Sequence, residues 1–411
     1  MKTRHTRVYN VSVPYFPLLV ALVWVGLAWV TRSEHRRMPR LTGRLPRPVE
    51  RARVLAIVPA RDEETCIASC LRSLVAQQGV DLRVAVYDDR SHDGTAARAL
   101  EVAEQSEGRV TLYRGTAEPP PGWCGKPHAL VRAMEAAGYN VMSGRMADDV
   151  APHALLFVDA DVVLRPTAVA EMAELVQEQG LGLASALPHL VCRSFWEHVA
   201  GPSVGGLVTA RHRPSQVNDP DHAAVLANGQ FMMVTPEAYA AVGGHEAVKS
   251  LVLEDVALAE LVKRQRRRVA LADGQAVCST RMYESLGELW QGWSKNAYRL
   301  VGGTPGKVTA YALASLLLGA SPTFCGVVAA WLAWSGTGAP LPWVAGYVVP
   351  LAMQASLRRL GGQPPGYALF APLGAAVVCA LLLKSTWTAL RGGSVTWKGR
   401  AYRDGTGVSG R

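Results

Sequence analysis

The chain has 411 residues, enough for one large domain or two smaller ones, and Lys plus Arg outnumber Asp plus Glu by 43 to 33 for a net charge of +10. Apolar types make up 49% of it, rich for a soluble protein and lean for a transporter, so they must be unevenly distributed. Much of the basic charge flanks apolar segments, where anionic headgroups attract it, so the charge calls for no nucleic acid.

Residues 11–30 are almost free of charge, and about 20 such residues span a bilayer core. A signal peptide is the competing reading. No small-x-small cleavage site follows, only Thr31-Arg32-Ser33-Glu34-His35-Arg36-Arg37. Residues 1–31 are therefore expected to be a retained anchor. Arginine then crowds a linker over residues 32–52, whereas only Lys2, Arg4 and Arg7 precede the anchor. By the positive-inside tendency the region that follows is cytoplasmic.

Residues 53–282 alternate strand and helix. Residues 54–58 predict a buried strand. Thr65 stands ready to cap a helix carrying Ile67, Cys70, Leu71, Leu74 and Val75 at helical spacing. Further strands are expected at 82–87, 109–113, 155–158 and 231–234, with helices after Ser91-His92-Asp93-Gly94-Thr95 and over 126–137. This alternation implies an α/β fold, a mostly parallel sheet flanked by helices, with ligands at the carboxyl ends of the strands. The polar candidates fall there: residues 59–64, Asp88-Asp89 and Asp159-Ala160-Asp161. In the last, positions i and i+2 face the same way along a strand. Two carboxylates on one face repel unless a cation lies between them, and Mg²⁺ takes such ligands together with substrate phosphates.

No Gly-x-Gly-x-x-Gly follows the first strand, and Gly125-Lys126 runs into Pro127 rather than a P-loop Ser or Thr. A dinucleotide dehydrogenase and a P-loop ATPase are both poor fits. The seven cysteines have no zinc-ligand spacing, and Cys66 and Cys70 read as packing residues on a helix.

Over residues 283–304, Leu286, Leu289, Trp290, Trp293 and Leu300 form an apolar face just before the next hydrophobic segment. The face suits either the bilayer interface or an ordinary core helix. Within residues 305–390, three segments (308–334, 341–357 and 367–383) are long enough to span, though the second and third carry prolines. The tail, residues 391–411, is basic. Three full spans would put it outside, so either the third segment is re-entrant or interfacial, or the tail is external.

Four ordered motifs resemble the membrane-bound family 2 glycosyltransferases, which have the GT-A nucleotide-sugar fold. They are Val58-Pro59-Ala60-Arg61-Asp62-Glu63-Glu64, Tyr87-Asp88-Asp89-Arg90-Ser91-His92-Asp93-Gly94-Thr95, Asp159-Ala160-Asp161, and Glu254-Asp255 after Val242-Gly243-Gly244-His245. The resemblance implies nucleotide-sugar contacts at Pro59, Arg61, Glu63, Asp89 and Asp159, with Asp89 reading uracil. It implies Mg²⁺ or Mn²⁺ on Asp161 and Asp159, and Asp255 as the base that deprotonates the acceptor. Glu254 would support it. Lys126, in Pro121-Gly122-Trp123-Cys124-Gly125-Lys126, is a candidate diphosphate contact, and Gly229, in Asn228-Gly229-Gln230-Phe231, belongs to the acceptor-side loop.

The family's Gln-x-x-Arg-Trp element is altered. Gln291 matches, but Ser294 and Lys295 stand where Arg and Trp are expected. This disfavours a processive polysaccharide synthase. Residues 290–296, with Trp293 and Lys295, and Thr396-Trp397-Lys398-Gly399-Arg400-Ala401-Tyr402 look more like transferases that decorate carotenoid or hopanoid-type lipids. The expectation is an inverting, multi-pass cell-membrane enzyme with its catalytic domain in the cytoplasm. It would move one sugar, glucose from UDP-glucose, to a carotenoid-like acceptor. A hopanoid or ceramide-type lipid, a polysaccharide and an inactive membrane scaffold are the alternatives, in that order.

Overall fold

The computed structural model describes residues 15–46, 51–148, 151–391, 395–397 and 400–402. Its centre is a seven-stranded sheet built from β1 (Ala52–Ala60), β2 (Val80–Asp88), β3 (Val110–Arg114), β4 (Ala154–Val158), β6 (Leu181–Leu187), β8 (Phe231–Val234) and β9 (Arg268–Asp273). The order is β3-β2-β1-β4-β8-β6-β9. β1 runs parallel to both β2 and β4, with Ala60 opposite Asp88 and Ile57 opposite Phe157. β8 alone is antiparallel to its neighbours, β4 and β6. Three short strands, β5 (Val162–Leu164), β7 (His189–Leu190) and β10 (Cys278–Thr280), form a second sheet. The sheet is mostly parallel, as the alternation implies, and the predicted strand at 155–158 is its middle member.

Both faces of the sheet are covered, as the near-continuous apolar runs require. Along β1, Val54, Ala56 and Val58 pack on one side with Ile67 and Leu71 of α2 (Ile67–Val75). Leu55 and Ile57 pack on the other with Leu130 of α4 (Gly125–Ala136) and Val262 of α9 (Glu254–Arg264). The other helices of this region are α3 (Thr95–Glu104), α5 (Ala168–Glu178), α6 (Phe195–Arg211), α7 (Pro214–Val217) and α8 (Pro236–Ala241). One expected detail fails: Cys66, not Thr65, takes the N-cap position of α2, and no side chain caps it. Glu63 does part of that work, since its carbonyl accepts from the N–H groups of Cys66 and Ile67.

Outside the sheet region lie α1 (Tyr15–Arg37), α10 (Leu286–Leu300), α11 (Pro305–Ser335), α12 (Leu341–Leu360), α13 (Ala371–Leu390) and a hairpin, β11 (Val395–Trp397) with β12 (Arg400–Tyr402). The helices Tyr15–Arg37, Pro305–Ser335 and Pro365–Leu390 are long and apolar enough to cross a membrane. α12 has the length but is less apolar, with Gln354, Arg358 and Arg359 near its end. It packs along α1 and α11. Phe16 meets Phe324 and Trp343 at the end of this bundle away from the sheet, with ring centroids 5.9 and 6.2 Å apart.

The segment 365–390 behaves differently. Just before it, Gln363 Nε2 donates to the Leu190 carbonyl (2.7 Å). Near its other end, Ser385 Oγ accepts from the Tyr298 N–H (2.9 Å). One end therefore touches β7 of the second sheet, and the other touches α10. α10 buries Leu289 and Ala297 against α6, α11 and α13, and Trp290 and Trp293 are half-buried in the same cluster. Its apolar face is thus turned into protein.

Candidate active site

The parallel register brings Ala60, Asp88 and Val158 to one edge of the sheet, and the polar residues follow immediately. Asp89 is buried, with Arg61 Nη1 4.0 Å from one carboxylate oxygen and Arg90 Nε 3.7 Å from the other. Arg61 also donates to the Asp89 carbonyl (3.0 Å). The Glu63 N–H donates to Thr95 Oγ1 (2.7 Å), tying the first motif to the second. Asp93 accepts from the Thr95 N–H (3.0 Å) and so settles the start of α3, leaving Asp89 free of that task.

Asp161 accepts from Thr280 Oγ1 (2.9 Å), which accepts in turn from Gln230 Nε2 (3.2 Å). Its other oxygen, Oδ1, is buried without a hydrogen-bond partner. Burial, then the charge of Asp159, push this carboxyl up to about 7 despite the Thr280 hydrogen bond. An orphaned carboxylate oxygen at a strand end fits a hard divalent cation. Among the described residues no group of three His, Cys, Asp or Glu could hold a metal alone. One or two carboxylates completed by substrate phosphates is a usual arrangement for Mg²⁺.

Lys126 sits in the first turn of α4 and joins the two halves of the site. Its Nζ lies 2.7 Å from Asp159 Oδ1 and 3.0 Å from Glu254 Oε1. Burial works to lower its pKa, but the carboxylates of Asp159, Glu254 and Asp255 reverse this and hold it well above the ordinary lysine value. The Glu254 carboxyl is pushed up to about 7 by burial, against the pull of Lys126. Burial also raises Asp255, opposed by Lys126 and by the N–H groups of Gly229 and Val256. Those two N–H groups donate to Oδ2 and Oδ1, both at 2.8 Å. Each oxygen keeps a lone pair for a further hydrogen. At Gly229 a Cβ would lie 3.1 Å from Lys126 Nζ and 3.3 Å from Asp255 Oδ2, so any side chain here would press on both groups. Gly244, left-handed with φ 56°, has the Tyr239 ring where a Cβ would be. The turn before α9 is anchored by buried His245, which pairs with the Tyr239 hydroxyl (2.8 Å).

Pro59, Arg61, Glu63, Asp89, Lys126, Asp159, Asp161, Gly229, Glu254, Asp255, Gln291 and Trp293 all line one cavity of about 1840 Å³. Lys295 falls within α10, but its side chain lies outside the described residues. The cavity continues from the acidic cluster to Trp24 and Leu27 of α1, Leu318 of α11 and Val378 of α13. α6 lines it between the two.

Sequence reasoning misses α6. The available signal was Ser194-Phe195-Trp196-Glu197, the spacing of a capping box, and both of its reciprocal hydrogen bonds form. Arg281 Nε also binds Glu197 (2.8 Å). Burial works to raise this carboxyl, but Arg281 and the Ser194 and Arg193 N–H groups outweigh it and hold it at about 2. Pro202 interrupts α6 and cannot donate to the His198 carbonyl four residues earlier. Arg358 of α12 donates to that carbonyl instead (2.7 Å).

A mostly parallel sheet with Asp-x-Asp at its middle strand and a buried acid pair across the cavity is a GT-A-type arrangement. The family described as "Glycosyltransferase like family 2" matches residues 52–301. The chain belongs to that family. The 4,4'-diaponeurosporenoate glycosyltransferase of Staphylococcus aureus strain MRSA252 is 30% identical over 264 residues, 62% of this chain and 63% of that protein. The protein of that name from strain USA300 is 30% identical over 262 residues, 61% of this chain and 62% of its own length. The matched region is thus less than two thirds of either relative. A mannosyltransferase from Pyrobaculum calidifontis, solved with GDP-Man and Mn²⁺, has a TM-score of 0.50 at 19% identity, covering 91% of this chain and 98% of that one. At that identity the likeness is one of fold.

Proposed function

We propose that this protein transfers one sugar, glucose from UDP-glucose, to a hydroxyl or carboxyl group of an apolar membrane acceptor of carotenoid type. A single observation carries the reading: the cavity that holds Asp89, Asp161 and Asp255 runs on between the membrane helices. A soluble acceptor gives no reason for that extension. Similarity to proteins named for diaponeurosporenoate supports a polyene acid in particular. The arginine-rich linker supports a cytoplasmic catalytic region.

In the reaction, the acceptor oxygen forms a bond to the anomeric carbon as the bond from that carbon to the diphosphate oxygen breaks. Direct in-line attack inverts that carbon. The departing UDP keeps the electron pair. Where the acceptor is a hydroxyl, its proton passes to Asp255, whose burial-raised pKa makes it a better base than an exposed Asp. Where the acceptor is a carboxylate, no proton moves and Asp255 has only to leave room for it. Asp89 holds the base, and Asp161 with Asp159 would hold Mg²⁺ or Mn²⁺. When bound, that ion offsets negative charge gathering on the leaving diphosphate. Lys126 adds a fixed positive charge beside Asp159.

The test uses full-length protein purified in detergent, with UDP-glucose, Mn²⁺ and a carotenoid extract. Glucosylated polyene, lost on Asp161→Ala with any acceptor and on Asp255→Asn with a hydroxyl acceptor, is the expected result. No turnover of any UDP-sugar with any lipid extract, and no effect of Asp161→Ala, would overturn the reading.

A further inference from the structure

The cavity is about 1840 Å³, well above the ~300–1,000 Å³ usual for small-molecule sites, so a nucleotide sugar alone does not account for it. The surplus lies beside α6, α11 and α13. Between Tyr311 and Gly319, both lining residues, α11 climbs about 12 Å at 1.5 Å per residue.

α6 presents Gly205 and Gly206 to this space. A Cβ at either would meet nothing within 4 Å. Gly26, Gly201 and Gly306 are equally open but do not line the cavity, and two glycines on the neighbouring helices are explained by packing. At Gly319 a Cβ would lie 2.3 Å from Ala375 Cβ, and at Gly374 2.4 Å from Ser203 Oγ. Gly205 and Gly206 have no such neighbour, and neither has a positive φ. Glycine is among the least favourable residues in a helix interior. Two together, required by neither packing nor backbone, leave the width beside the helix as the thing they supply. The wall they sit in is held firmly. Its N-terminus is capped and bound by Arg281, and its proline gap is closed by Arg358.

We propose that Gly205 and Gly206 are specificity-determining residues. The space beside them receives the apolar body of a long, stiff acceptor whose reactive end lies at Asp255. This rests on the transferase reading above for the chemistry, but not for the binding.

Two experiments separate the two claims. In the first, Gly205→Leu and Gly206→Leu are made in the full chain and assayed with UDP-glucose and a triterpenoid polyene carboxylic acid. Transfer should fall by about tenfold or more, the discrimination that a few misfitting methylenes produce, while UDP-glucose hydrolysis stays near wild type. Wild-type transfer by both variants would overturn the proposal. In the second, wild-type protein in nanodiscs is photolysed with a diazirine derivative of the same acid. Label on peptides of α6 and α11, displaced by the unlabelled acid, is the expected result. Label confined to outward-facing residues such as Trp334 would overturn it, and this decides the matter even if the leucine variants do not fold. Absence of UDP-glucose turnover by wild type would sink the transferase reading, and the cross-link would then judge the cavity alone.

Discussion

At Lys126 one ammonium answers three carboxylates, and the balance among them sets how Asp255 behaves. Removing Lys126 would leave buried Glu254 without compensation, the costly way to break such a cluster, and would strip half-buried Asp159 of its nearest cation. Removing Glu254's charge does the opposite, since the charge of Asp255 makes Glu254 harder to ionise and the effect of two such groups on each other is reciprocal. With a hydroxyl acceptor, kcat/KM should rise with pH as Asp255 loses its proton, through an apparent pKa above the ordinary Asp value. In Glu254→Gln that apparent pKa should move down, and a pH–rate profile reads it directly. An unchanged midpoint would mean that Glu254 does not act on the base. Gly229→Ala tests the close approach. The new methyl must push Lys126 or Asp255 aside by tenths of an ångström. Such a shift should lower kcat/KM by roughly tenfold, less than misplacement by a full ångström can cost. Wild-type kinetics in that variant would show that the backbone can give way.

Among the elements, α6 has the most to explain, because it walls the cavity without contributing to the sheet. Its anchor is Glu197, held at about 2 against an ordinary value of 4.5. A depressed carboxylate contributes stability that is present above about pH 4.5 and is lost as pH falls toward 2. Thermal melts across that window should therefore fall more steeply for wild type than for Glu197→Gln. Parallel curves would mean that the Arg281 pair adds nothing. Ser194→Ala removes one cap and should cost about 1 kcal/mol at neutral pH. Strands β1 to β4 and β8, with α2 to α4, were legible because their apolar residues repeat at fixed spacing and most of their ends carry distinctive polar motifs, whereas β6, β9 and the second sheet were not read. α6 was not, since its glycines, proline and aromatics give no clear period. The Lys126 cluster was only half legible. Glu254-Asp255, Lys126 and Asp159 could each be singled out, but their meeting at one ammonium depends on how α4, α9 and β4 converge. The Asn228 to Gln230 loop was seen, whereas Thr280, which supports Asp161, stands in a stretch with no motif. The Trp face of α10 could be read either way, and only packing against α6 and α13 decided that it turns inward.

For the whole molecule, the open matter in the sequence was a basic tail that three full C-terminal spans would carry to the far side. The contacts of α13 support another arrangement. α1, α11 and α12 run together away from the sheet, and their Phe16, Phe324 and Trp343 rings meet beyond it. α13 packs on the sheet-side half of α11, where Gly319 meets Ala375. Before α13, Gln363 reaches Leu190, and late in it Ser385 meets Tyr298. We propose that α13, tied near one end to Leu190 and near the other to Tyr298, lies along the sheet-side face of the bundle rather than across it. Its Arg391 guanidinium, stacked on Trp387 at 3.9 Å, then sits at an interface, where both side chains are at home. Two epitope insertions check this in a bacterial host. One at Gly338, between α11 and α12, should be reached by antibody in intact spheroplasts. One after Arg411 should be reached only after lysis, together with the sheet domain. A C-terminal epitope accessible in intact spheroplasts would show that α13 crosses. The cavity beside α6 would then open toward the middle of a spanning bundle rather than toward one leaflet.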